Sequence, residues 1–585
     1  MKTGGFIYSI AAVLLSATAL AQQAAHSSLA AVADNGYQIA ERGKDFAVYR
    51  KVTGLTNQTG QVSNKTNEFT LLENNLHYFD NGEWKVSEDV IESFPGGAVA
   101  RRGPDKTIFS PDLNSEAVFD IQTSDGQRLR GGVRAIQLTD LATGKSLVLA
   151  TVKQSAPGEL VPPNRVVFRS GFEGLDADVL YVWNHNSFSQ NVILNQQPAL
   201  PLGMDPKTTV LEVVTEFVEA PVPVLNEQVS KQGDRPDTVD HVTIGFGQML
   251  VLRGQAFAVD GDNGVNLGGV NPADELGVPV FKQWHKLDDG RKFLIEFIGW
   301  QEIAPLLRDL PVAQRADNAS GSPRQLAQGR VWPQRSAPTK RQPTQVAAVP
   351  YQPKGFVIDF ETRGGSTTSM AFETGKTYYI TNFFYIGPGD SVFQPGCVVK
   401  YTNHAGILMY GPISFPDTLQ TPVFTSKDDD SFGEIITGSS GNPTYAADQA
   451  LLVYYVTQAT EVKNARIRWA RVGLQFVDGS GASYWHTVRD SLFEKCQTGI
   501  YLNLPSGGVS LVNVQKCNVT TPITGCCYWT GTMTDSPLCT DKSFVALRSN
   551  DEASQYFLSM INPPDTMGAV GPNHFVAVIN KMIAV

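Results

Sequence analysis

Apolar residues along this chain recur in short runs at a spacing of two, broken by glycine, proline, asparagine and aspartate. This is a pattern of strands and turns. Leu76-His77-Tyr78 and Trp84-Lys85-Val86 flank Asp80-Asn81-Gly82. Asn-Gly favours positive φ at both central turn positions, so the segment reads as a tight hairpin. Leu147-Val148-Leu149 follows a turn at Gly144, and Asp178 to Val182 and Val192-Ile193-Leu194 bracket Asn184-His185-Asn186. Phe293, Ile295 and Phe297 alternate with Leu294 and Glu296. Such runs predict an all-β, sandwich-like domain over 67–308, with one short helix over 303–309.

The flanks differ in character. Residues 22–66 are polar and read as a loosely ordered lead-in. Residues 309–355 carry Pro311, Pro323, Pro333, Pro338, Pro343, Pro350 and Pro353, with Arg315, Arg324, Arg330, Arg335, Lys340, Arg341 and Lys354 as their charge. Proline at that density blocks ladders and helices, so this stretch reads as an extended Pro-rich, basic linker.

Beyond the linker a repeat appears. Val462, Asn464, Ile467, Ala470, Gly473, Leu474 and Phe476 recur 26 residues later as Val488, Asp490, Phe493, Cys496, Gly499, Ile500 and Leu502. A weaker third copy follows at a spacing of 21, with Val509 after Val488 and Cys517 after Cys496. Repeats of this size with short alternating apolar runs predict a solenoid of strands, a short right-handed parallel β-helix over 356–525. Equivalent residues on successive coils then lie about 4.8 Å apart. That distance makes Cys496 and Cys517 a disulfide candidate; the other reading is an inward stack of small residues headed by Ala470. A cysteine-containing cap is expected over 526–560, stapled through Cys526, Cys527 and Cys539, and the start of a further, truncated β domain over 561–585.

Lys2, the apolar run Phe6 to Leu15 and Ala19-Leu20-Ala21 have the order of a signal peptide over 1–21. The run is too short to span a bilayer, so the expectation is a secreted or cell-surface chain with no membrane span after cleavage. A net charge of −10 argues against a nucleic-acid partner.

Pro395-Gly-Cys-Val-Val-Lys-Tyr401 and Val423-Phe-Thr-Ser-Lys-Asp-Asp-Asp-Ser-Phe-Gly-Glu434 resemble an opening coil and the stretch after it in large secreted bacterial surface proteins. Their repeats belong to the right-handed β-helix class of the pectate-lyase-like superfamily. The resemblance covers about 366–525 and implies a fold that carries lyases, hydrolases, adhesins and inert stalks alike.

Sugar-cleaving sites need two carboxyls about 5–5.5 Å or about 6.5–9.5 Å apart. Asp490 recurs with Asn464 and Glu494 with Arg468, so neither column pairs two acids, and Asn464 with Asp490 reads as a polar turn ladder. Asp428, Asp429, Asp430 and Glu434 form the densest acid cluster, which could hold Ca²⁺ through the three aspartates or form a solvated loop tip. Asp260-Gly-Asp262-Asn-Gly264 starts like a calcium loop but has Asn271 at the twelfth position, so a turn is expected. The histidines show no metal-ligand spacing. Tyr454, Tyr455, Trp469 and Tyr484 are candidate sugar-stacking rings, with packing as the other reading. The leading expectation is a non-catalytic ladder surface for an extracellular polysaccharide or surface partner. The rivals are a polysaccharide lyase or glycoside hydrolase, and a structural spacer.

Overall fold

The computed structural model describes residues 36–56, 62–230, 236, 238–260, 277–312, 326–334, 344–417, 420–478 and 483–536, and the strand residues 566–570, 575–579 and 582–584. The leader at 1–21, the calcium-like loop beyond Asp260, Cys539 and two stretches of 309–355 lie outside them. The chain divides into two compact units after Met533. In the second, Thr566–Val570, Phe575–Ile579 and Met582–Ala584 form an antiparallel meander.

In the first unit, two antiparallel sheets face each other. One is built on Arg128–Asp140, Thr209–Glu219, Lys292–Gly299 and Val278–Lys286. The other runs through Arg165–Phe168, Ala177–Asn184, Ser187–Leu194, Lys354–Arg363 and Gly254–Asp260. Pairing of Gly254–Asp260 with Val278–Lys286 joins the sheets into a closed barrel. Period-two alternation sends Val179, Tyr181 and Trp183 into the main core, while Leu180 and Val182 pack outward against Tyr351 and Val357. Phe109, Phe119, Tyr181, Phe188 and Phe217 interlock there, with centroids 5.2–6.2 Å apart. The hairpin His77–Asp80 to Glu83–Val86 forms as expected, with Asn81 at φ 52° and Gly82 at φ 86°. The helix lies at Trp300–Ile303, just ahead of the predicted span.

Three boundaries differ from the sequence reading. The supposedly loose lead-in supplies Gln38–Gly43, Phe46–Thr56 and the start of Val62–Leu72. These strands pair antiparallel, and Val62–Leu72 then pairs parallel with Thr377–Ile380, so they cover the first edge of the solenoid. The described part of the linker is not extended into solvent. The Arg330 guanidinium forks onto buried Glu212 (2.8 and 3.2 Å), and Trp332 lies 4.8 Å from the Phe293 ring. Lys354–Arg363 belongs to the barrel, paired with Ser187–Leu194 along its length. The solenoid therefore begins at Ala371–Phe372 and not at 356.

The solenoid has about seven turns and three parallel faces. The first face stacks Thr377–Ile380, Val398–Tyr401, Val423–Ser426, Arg466–Arg468, Leu492–Glu494 and Val514–Cys517. The second stacks Phe383–Ile386, Gly406–Met409, Ala447–Tyr454, Ala470–Val477 and the first half of Thr498–Val512. The third stacks Glu461–Lys463, Trp485–Arg489 and the second half of Thr498–Val512, and Thr521–Thr530 closes both of the latter faces. Inward columns run Val399, Phe424, Ile467, Phe493 and Leu451, Leu474, Ile500, all fully buried. Burying each such side chain stabilises the stack by about 1.5–3 kcal/mol.

The spacing of 26 holds, since Val462 pairs with Val488, and Val472 and Leu474, on either side of Gly473, pair with Thr498 and Ile500, on either side of Gly499. The spacing of 21 does not. Val488 pairs with Leu511 and His486 with Val509, an offset of 23. Glu494, not Cys496, therefore lies beside Cys517. Cys496 carries a free, buried thiol pushed up to about 12 by burial, while Cys517 is disulfide-bonded to another partner. Cys526 and Cys527 are also free and lie in the last strand, so they staple nothing.

Candidate functional site

The acid cluster is a clamp. After Val423–Ser426 the chain leaves the coil and lies back over the outer side of the first face. There the outward column includes Lys400, Thr425, Arg468 and Glu494, all buried. Asp429 Oδ2 accepts from Arg468 Nη1 (2.9 Å) and from the Thr425 hydroxyl (2.6 Å), and its carbonyl accepts from Lys400 Nζ (3.0 Å). Glu494 holds Arg466 at 2.6 and 3.0 Å, and the Phe432 ring covers both guanidiniums at 4.8–4.9 Å. Asp428 accepts from the Ser440 N–H (2.6 Å) and Lys427 Nζ (3.0 Å). Burial pushes that carboxyl up, but these two donors outweigh it and hold it below its usual range. Asp430 accepts from the Ser439 hydroxyl and Glu434 from Asn67 Nδ2. The aspartates point to different partners, and among the described residues no three His, Cys, Asp or Glu groups are placed to hold a metal ion.

The candidate aromatics are also spent on packing. Tyr454 is buried on the outer side of the second face against Leu250 and Leu252 of the barrel, with Tyr455 at 4.4 Å. Trp469 is half-buried at a corner with φ 54°, under the Lys495 ammonium at 4.8 Å. The Tyr484 hydroxyl donates to the Thr457 carbonyl.

With the clamp on one face and the barrel on another, the third face remains accessible. Its outward positions follow from Val462 and Val488 pointing inward: Glu461, Lys463, Trp485, Thr487, Arg489, Ser510, Val512, Tyr528 and Thr530 are exposed or half-exposed. Trp485, Gly508 and Tyr528 form one column. A Cβ on Gly508 would meet the Trp485 ring at 2.6 Å, so the indole lies across the sheet in space that glycine leaves. Trp485 Nε1 donates to the Ser510 hydroxyl (2.5 Å), which fixes the ring while 44% of the residue stays exposed. Tyr528 is 78% exposed and two strands on, about 9.6 Å away. Strand parity alone places Trp485 on this face. Its neighbour His486 points the other way and is fully buried, stacked on Phe476 and 2.8 Å from Asp478.

Beside the aromatic column runs a charged ridge. Arg489 contacts Glu461 (2.8 Å), Asp490 (2.8 Å) and Asp417 (3.0 Å), and Lys463 contacts Asp417 (2.8 Å). Asn513 donates to Asp490 (2.8 Å), continuing the ladder of corner residues at positive φ that includes Asn464. Acids and bases from successive coils do converge here. Lys463 and Arg489 hold the Asp417 carboxyl below its usual range, and Asn513 and Arg489 do the same for Asp490. Glu461 and Asp490 raise Arg489 further. These three groups are fixed in their charged forms, the reverse of what proton transfer near neutrality requires. Tryptophan and tyrosine rings backed by hydroxyls and flanked by fixed charges can stack on a ligand and hydrogen-bond its edges.

Comparison with protein-family models, curated proteins and solved structures yields no match to this chain. Among the described residues no helix is long and apolar enough to cross a membrane.

Proposed function

We propose that this chain is an exported, non-catalytic glycan-binding protein whose third solenoid face docks a neutral polysaccharide. The observation that carries the reading is the Trp485 ring, reaching over Gly508 and pinned to Ser510 while exposed. An aromatic ring held in place before binding loses little entropy when a sugar ring stacks on it. Tyr528 extends the platform, and the Ser510 and Thr530 hydroxyls offer donors and acceptors along it. The leader pattern at 1–21 supports export.

Affinity electrophoresis of the full chain through gels containing hydroxyethylcellulose or soluble β-glucan tests the reading. Retarded migration is expected, and Trp485→Ala and Tyr528→Ala should each weaken it by about three- to tenfold. A spacer shows no retardation, and an enzyme releases new reducing or unsaturated ends. Either result, or retardation unchanged in both variants, overturns the proposal.

A further inference from the structure

The two ends of the solenoid are finished differently. At the start, the sheet that carries the first face ends in Gln38–Gly43, which shows Glu41 and Arg42 to solvent and has a bulge between Ile39 and Glu41. Charge and a bulge both stop a further strand from adding to an edge. At the far end, Thr521–Thr530 pairs with Thr498–Val512 on one side and has no strand on its other side among the described residues. Its ten residues carry no charge, and only Pro522 lacks a backbone donor. Every one of them is exposed or half-exposed.

The apolar columns stop there uncovered. Ile523 follows buried Leu474 and Ile500 but is itself half-exposed. Trp529 follows buried Val509 and is 45% exposed. Val519, Cys527 and Met533 are likewise only partly buried against the same core. An uncharged strand with a free edge, beside the open end of an apolar core, is a surface suited to strand addition.

The shape of this edge selects the partner. Thr521 to Cys526 lies on the second face and Tyr528 to Thr530 on the third, with the corner between them at Cys527. A straight strand can follow only one of these arms. An edge bent through the same corner fits both, and a second copy of this chain presents one. A two-fold axis through the corner lays the second-face arm of each copy antiparallel along the third-face arm of the other.

We propose that this end of the solenoid pairs with the same end of a second copy, as a two-fold dimer joined strand to strand around the Cys527 corner. The dimer needs no ligand on the third face and does not rest on the glycan reading. No like charges on the two strands oppose each other across the axis. Cys526, exposed and carrying a free thiol, stands beside the axis, so whatever residue occupies that position meets its own copy.

Sedimentation velocity of the full chain in reductant tests the proposal. Wild type and Cys526→Ser should both run as dimers that dissociate on dilution. Cys526→Lys puts two ammonium groups beside the axis and should raise the dimer dissociation constant at least about tenfold. Cys526→Asp should do the same, and mixing the Lys and Asp variants should restore a dimer. Position 526 is exposed, so neither change touches the core, and circular dichroism checks that both variants stay folded. With glutathione disulfide as oxidant, two wild-type Cys526 thiols should give one intermolecular disulfide while the oxidant is reduced to two glutathione thiols. Mass spectrometry should find that bond at Cys526. A monomeric wild type or Cys526→Ser overturns the proposal. A dimer unchanged by Cys526→Lys lies on another surface and overturns it too, as do Lys and Asp variants that stay monomeric when mixed, or an oxidised dimer linked elsewhere.

Discussion

In the solenoid, Ile467 lies between Phe424 and Phe493; in the barrel, Ile136 lies between Ala150 and Val213. Several solenoid neighbours fall at a spacing that recurs along the chain. Barrel neighbours fall wherever a hairpin or a long connection brings them, as Val357 does between Ile193 and Phe257. The two regions also bury charge differently. The solenoid stacks apolar side chains inside, interrupted by His486 and its buried partner Asp478, and holds Lys400, Arg468 and Glu494 on an outer face under a clamp. The barrel places Glu296 and its cross-strand neighbour Lys282 fully inside. A repeating stack has the same slot on each coil, so a buried polar group such as His486 stands out from the column it interrupts. A closed barrel can dedicate one position to a pair.

Breaking the clamp gives the largest expected effect. Asp429→Ala leaves the buried Arg468 guanidinium with Glu494 alone (3.0 Å) and should cost about 3–5 kcal/mol in denaturant unfolding. Adding Arg468→Met should restore most of it; no recovery would mean that the ion pair is not what holds the excursion. The barrel pair tests the other half of the contrast through pH. Burial pushes Glu296 up to about 8, with Lys282 only partly opposing. A folded-state pKa raised above the ordinary glutamate value of 4.5 means stability present below 4.5 and lost as pH rises through about 8. Glu296→Gln should match wild type near pH 5 and exceed it by about 2–4 kcal/mol near pH 9. Parallel pH profiles would contradict the assignment.

Smaller effects separate crowding from backbone strain. A Cβ at Gly473 would lie 2.8 Å from the Gly499 carbonyl of the next coil, so Gly473→Ala should cost about 1–3 kcal/mol. Gly126 in a barrel turn has φ +83° and open space around it, so Gly126→Ala should cost only about 1 kcal/mol. Thermal unfolding of the two variants orders them.

Much of the solenoid was legible because its repeat is local arithmetic, whereas the barrel showed its strands and hid their partners. The misreading of 21 for 23 has a physical reason. The two offsets differ by two residues, which leaves every side chain on the same side of its strand. Val509 and Leu511 both point inward, so hydrophobic pattern cannot choose between them as the partner of Val488. Tyr454 stood as a candidate stacking ring, with packing as the other reading, because nothing near it in sequence announces Leu250 and Leu252. The prolines of 309–355 spoke against long ladders but not against Arg330 reaching Glu212. The clamp was hidden for the same reason, since Asp429 and Arg468 are 39 residues apart.

The aromatic platform exists only if the third face runs with an offset of 23, and cross-linking reads that directly. Thr487 and Ser510 are partners on adjacent parallel strands, with Cα atoms about 4.8 Å apart and within disulfide reach. Under mild oxidation, with bonds mapped by mass spectrometry, the Thr487→Cys/Ser510→Cys chain should cross-link between those two positions. If instead Thr487→Cys/Gly508→Cys cross-links efficiently and the first pair does not, the strands run at an offset of 21. Trp485 then no longer lies over Gly508, and the platform is lost.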